Sequence, residues 1–156
     1  MFRKMTIGLA AVAATTAVAL SLPATAQADS SSQAERWGPV RSAGHLAKAD
    51  GRVAVEWDDQ GESNEITVRG RLYDLDERAY DDGGKCAYVR FEAADFDHEW
   101  SRVYSRKYCG FPGSKRFGFE EQDVFSLRAQ VCQIAPRGGF PRKCGPWVYL
   151  YTAESE

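Results

Sequence analysis

"CAYVRFEAA", residues 86–94, puts Ala87, Val89, Phe91 and Ala93 on one side and Tyr88, Arg90 and Glu92 on the other. An apolar residue at every second position is the period of a β-strand with one buried face. The same period recurs on both sides of this stretch. In "GRVAVEWDD", residues 51–59, Val53, Val55 and Trp57 share a face; in "EITVRGRLYD", residues 65–74, Ile66, Val68 and Leu72 do. "VFSLRAQVC", residues 124–132, aims Phe125, Leu127, Ala129 and Val131 inward, and "PWVYLYT", residues 146–152, offers Val148 and Leu150 to the core. Weaker strands are expected at 38–42, 99–106 and 115–120. Turns built from Asp, Asn, Gly and Pro separate these runs, at "DDQGESN", "DDGG", "GFPGS" and "PRGGFP". No stretch beyond the leader sustains a 3.6-residue period. The pattern predicts an all-β fold, an antiparallel β-sandwich of immunoglobulin-like architecture with about 7–8 strands.

The chain opens on a different pattern. Arg3 and Lys4 precede an uncharged apolar run from Thr6 to Leu22, Pro23 breaks it, and "ATAQA" follows with Ala24, Ala26 and Ala28. That order of charge, apolar run and small residues is the layout of a secretory signal peptide, with cleavage expected after Ala28 and Ala26 as the alternative. The run is too short for a membrane anchor. The expected organisation is a removed signal peptide over 1–28, a flexible lead-in over 29–36 and one sandwich domain over 37–153. The expected location is secreted, with no membrane association once the signal is gone.

Without its first 28 residues the chain carries 18 Lys and Arg against 22 Asp and Glu, a net charge of −4. Residues 29–100 hold 9 basic and 17 acidic groups, whereas residues 101–156 hold 9 and 5. Such asymmetry steers charged partners or reflects two halves that pack together. No basic arm for nucleic acid is present, and none is expected as a partner. Cys86, Cys109, Cys132 and Cys144 are an even count in an exported chain, which reads as two disulfides with three possible connectivities. Sequential pairing, Cys86–Cys109 and Cys132–Cys144, is expected because each pair brackets a local strand pair. The spacings do not match the close cysteine pairs of structural zinc sites.

The leader, "WGPV", "CAYVRF", "RAQVCQ" and the closing "CGPWVYLYT" together resemble small exported actinobacterial proteins of unknown function, over about Trp37 to Thr152. The resemblance implies an exported, compact β fold and carries over no catalytic or binding residue.

Catalysis finds little support. His98 in "DFDHEW" lies among Asp95, Asp97 and Glu99, but the spacing fits no metal loop, and a solvated turn explains it. "YDLDERAYDDGG", residues 73–84, supplies Asp74, Asp76, Glu77, Asp81 and Asp82 without the glycine and closing glutamate of a calcium loop. His45 has no nucleophile beside it. The reading is a non-enzymatic protein with no metal and no cofactor. Alternation instead places Arg69, Arg71, Tyr73, Tyr88, Arg90, Arg128, Trp147, Tyr149 and Tyr151 outward as a candidate binding face. Aromatic faces and arginine forks suit an acidic polymer of the cell envelope or a secreted protein, though the same side chains also brace sheets. A second candidate is the segment framed by Cys132 and Cys144, where Pro136, Arg137 and Gly138 are placed to enter a serine protease as an inhibitor. Against it, Gly138 and Gly139 loosen a loop that an inhibitor needs stiff. A third reading is an enzyme or metal-binding protein with its site near His98.

Overall fold

The structure is a computed structural model and describes residues 34–153. The span expected to be a signal peptide and the first part of the expected lead-in lie outside the described residues. Eight strands follow in order: β1 Glu35–Arg41, β2 Ala47–Trp57, β3 Asn64–Asp74, β4 Cys86–Ala94, β5 Trp100–Tyr108, β6 Ser114–Gln122, β7 Ser126–Ile134 and β8 Val148–Thr152. They form two four-stranded sheets, sheet A in the order β1-β2-β3-β6 and sheet B in the order β5-β4-β7-β8. Every neighbouring pair is antiparallel. The chain lays down β1 to β3 as a meander and crosses to sheet B for the β4–β5 hairpin. It then returns to sheet A with β6 and crosses again for β7 and β8. The first strand begins at Glu35, inside the span assigned to a flexible lead-in, because Glu35 and Arg36 pair with Val53 and Arg52.

The alternation read from sequence sorts the strands correctly at their centres. Val53, Ile66, Val68 and Leu72 from sheet A meet Val89, Phe91, Leu127, Ala129 and Val131 from sheet B, all buried. Phe91 sits at the middle, its ring 5.8 Å from Trp37, 5.6 Å from Phe117 and 4.9 Å from Phe119. The tryptophan of the core is therefore Trp37. Trp57, expected inward, is 45% exposed, because as the last residue of β2 it stands past the facing sheet and leans on Phe96. One cross-strand row explains how two large rings fit on the inner side of sheet A. Trp37 stands opposite Gly51, Gly51 opposite Gly70, and Gly70 opposite Phe117. A Cβ on Gly70 would come within 2.6 Å of the Phe117 ring, so glycine leaves the space that the ring occupies.

Both disulfides lie within sheet B. Cys86–Cys109 joins the start of β4 to the residue just past β5, and Cys132–Cys144 joins β7 to the segment leading into β8. Immunoglobulin domains instead bridge their two sheets, so the resemblance to them is one of architecture. The two sheets are tied by polar contacts at one end. Asn64, buried at the start of β3, donates from Nδ2 to the Val124 carbonyl at 2.9 Å and accepts the Val124 N–H at 2.8 Å. The same Nδ2 lies 3.3 Å from the Tyr151 hydroxyl on β8.

Candidate functional site

The nine residues expected to form one outer face do not form one. Arg69, Arg71 and Tyr73 lie on the outer side of sheet A, since Val68, Gly70 and Leu72 between them face the core. Tyr88, Arg90, Arg128, Trp147 and Tyr149 belong to sheet B or its approach to β8. The core separates the two groups. Tyr151 belongs to neither: a register shift between Leu127 and Arg128 sets Tyr149 opposite Arg128 but Tyr151 opposite the buried Leu127. One extra residue in β8 thus turns Tyr151 inward, where burial pushes its hydroxyl pKa up. Tyr88, also expected outside, is buried in a small cluster with Cys86, Cys132 and Ile134.

On sheet B the arginines are already occupied. Arg90 donates from Nε and Nη2 to Gln130 Oε1, at 2.9 and 2.6 Å, and lies over the Trp147 ring. Arg128 donates to Glu92 at 2.7 Å and is held between the rings of Trp100 and Trp147, 3.9 and 4.5 Å from their centroids. Cation–π contact plus an ion pair of this kind fixes the sheet surface. It leaves neither guanidinium free for a ligand.

Sheet A is different. Its outer side forms an open trough of about 1280 Å³, and five arginines line it: Arg36, Arg52, Arg69, Arg71 and Arg116. The strand register explains their grouping. Arg36 stands opposite Arg52 and Arg52 opposite Arg69, while Arg71 stands opposite Arg116 one step along β3. All five are exposed, and among the described residues none makes an ion pair or a side-chain hydrogen bond. Asp50, the carboxylate opposite Arg71, is engaged elsewhere. It pairs with Lys48 at 3.6 Å and accepts the Tyr73 hydroxyl at 3.3 Å. Like charges directly opposite one another on a sheet repel, and an array of them without counter-charge attracts anions. Arg36, Arg52 and Arg116 are not among the residues that alternation singled out. Their own strands show them outward, but only the pairing of β3 with β6 and of β1 with β2 brings them beside Arg69 and Arg71.

The acidic segments resolve into structural parts. Asp74 and Asp76 are buried. Asp74 accepts the Gly110 N–H at 3.0 Å, tying β3 to the residue after Cys109, and burial raises its pKa. Asp76 takes a two-pronged contact from Arg78 at 2.7 and 2.8 Å, and also accepts the Lys85 N–H. The Arg78 hydrogen bonds hold its pKa down at about 2. His98 has a positive φ of 66° in the β4–β5 turn, where Asp95 Oδ1 accepts the N–H groups of Asp97 and Glu99. Its ring meets Phe125 edge-on at 4.3 Å. Among the described residues no group of three His, Cys, Asp or Glu side chains is placed to share a metal ion. In the Cys132–Cys144 segment, the Gly138 N–H donates to the Ala135 carbonyl, closing a tight turn around Pro136 and Arg137. Arg137 is exposed in this turn, with its guanidinium 5.6 Å from the centroid of the Tyr80 ring.

No family model matches the chain, and no curated protein matches its sequence.

Proposed function

We propose that this chain is exported and acts without catalysis, binding an anionic partner of the extracellular space or cell envelope on the outer side of sheet A. The observation that carries the reading is the row of five exposed arginines with no acidic partner. A sequence that keeps mutually repelling groups where a sheet would accept neutral ones gives up stability for something other than the fold. Export is supported by the leader pattern and by two disulfides, which persist in oxidising compartments. Among the described residues no helix is long and apolar enough to cross a membrane.

The test compares two charge-matched double variants for retention on a carboxylate- or phosphate-bearing matrix. Arg52→Glu with Arg69→Glu removes the centre of the row; Arg102→Glu with Arg142→Glu changes net charge equally at exposed positions outside it. Retention lost in the first and kept in the second supports the reading. Equal loss in both shows attraction to net charge alone and overturns it.

A further inference from the structure

Resting on that reading, we infer that the occupant is a flexible chain of phosphodiester-linked polyol units, lying across the strands from the β1 edge to the β6 edge. Three features of sheet A carry the inference: the extent of the row, the charges that bound it, and the side chains it lacks.

The row steps through Arg36, Arg52 and Arg69 on β1, β2 and β3, moves along β3 to Arg71, and crosses to Arg116 on β6. Neighbouring strands lie about 4.8 Å apart and residues i and i+2 about 7 Å apart, so the path spans roughly 15 Å of sheet. One compact anion reaches two or three guanidinium groups. Five, with Asp50 opposite Arg71 and Glu56 at the margin of the trough, still leave an excess of positive charge that needs several anionic charges held in series.

The direction of the series is set by what lies beside it. Farther along β3 and its neighbours, the same outer side carries Glu65 opposite Glu56, and Glu120 opposite Thr67. A polyanion running along the strands would meet these carboxylates, whereas one running across the strands stays over arginine. Gly118, opposite Arg69 on β6, leaves the backbone bare where the path turns from one register row to the next.

The chemical class follows from composition. All five groups are arginine, whose planar fork grips two oxygens of a phosphate at once. Nucleobases and sugar rings are held by stacking on aromatic side chains. Of the three aromatic residues that line the trough, Trp37 and Phe117 are buried in the core, and Tyr73 is engaged by Lys48 at 4.1 Å and by Asp50. The units between charges are therefore small and unstacked.

The experiment titrates the exported protein with poly(glycerol phosphate), glycerol phosphate monomer, polygalacturonate and oligothymidylate. Poly(glycerol phosphate) is expected to bind, with log K against log salt falling at about −0.7 per phosphate contacted, or about −3.5 for five. This is a loss of about 100-fold between about 50 and 200 mM salt. Arg52→Gln should flatten the slope by about 0.7. Gly118→Leu tests the path without changing charge: a Cβ there meets Val68 O at 3.4 Å and the Arg69 side chain at 3.7 Å, which is ordinary contact. It should fold as the parent does and bind the polymer at least tenfold more weakly. Competition by the monomer at equal phosphate concentration, or a slope near −1, overturns the extended occupant. Polygalacturonate binding as tightly overturns the phosphodiester assignment, oligothymidylate binding as tightly overturns the assignment of small unstacked units, and either result leaves an anionic partner standing. Failure of every polyanion to bind overturns that reading as well.

Discussion

Arg52 and Arg69 face each other directly across β2 and β3 with no acidic side chain paired to either. Directly opposed like charges on a sheet cost about 0.2–1 kcal/mol relative to a neutral pair. Arg52→Gln is therefore expected to stabilise the protein by that amount at low ionic strength. Added salt should shrink the gain by screening the repulsion in the parent. Chemical denaturation at two salt concentrations measures both effects. A less stable Gln variant would mean that the arginine stems pack on the sheet and the repulsion is already relieved.

The Asp76–Arg78 contact makes stability depend on acid. Asp76 has a folded pKa of about 2, below its ordinary 3.8, so the unfolded chain takes up a proton first as pH falls. The stabilisation is complete above 3.8, where it amounts to about 2 kcal/mol at most, and is lost as pH falls through about 2. Asp74 opposes this, because a pKa raised by burial favours the folded state when the group is protonated. Asp76→Asn should flatten the acid limb of the stability curve; Asp74→Asn should leave that limb in place and steepen it. Denaturant midpoints between pH 2 and 5 decide.

The two bridges close loops with sequence separations of 23 and 12 residues. For loops of this size the chain-entropy estimate is about 3 kcal/mol each. Cys132→Ser with Cys144→Ser, and Cys86→Ser with Cys109→Ser, should each cost about that much in reversible unfolding. Non-reducing peptide mapping of the parent should find these two linkages and no free thiol.

Trp37 and Trp57 should separate cleanly by truncation. Trp37→Ala empties the space beside Phe91 and Phe117 and is expected to cost about 3–5 kcal/mol. Trp57→Ala removes a half-exposed ring touching Phe96 and is expected to cost about 1 kcal/mol or less. Equal losses would place Trp57 in the core and contradict the strand-end geometry.

Alternation in "CAYVRFEAA" and "EITVRGRLYD" was enough to read the two central strands, because period two records which side of a sheet is dry. It says nothing of depth, so Trp57 and Trp37 could not be ranked from their own strands. Nor does it record a bulge, and the register shift in β8 reverses Tyr151 with no change of composition to betray it. The arginine row was the least legible feature. Arg69 and Arg71 show their outward side in the local pattern. Their neighbours Arg36 and Arg116 arrive from β1 and β6, and β6 pairs with β3 only after the chain has visited the other sheet. Pairing between strands so far apart in sequence is a property of the assembled core.

Every covalent cross-link lies downstream of β3, so tension entering from the N-terminal side is resisted by hydrogen bonds alone until it reaches Cys86. β1 is the outermost strand of sheet A, hydrogen-bonded on one side only, and antiparallel strands pulled from an edge unzip pair by pair. Peeling β1, β2 and β3 would release roughly 170 Å of contour before Cys86–Cys109 and Cys132–Cys144 halt extension in sheet B. A ligand laid over Arg36, Arg52, Arg69 and Arg116 spans the same four strands at right angles to their backbones. It would act as a cross-tie, so that sheet A yields at higher force when loaded with its partner than when bare.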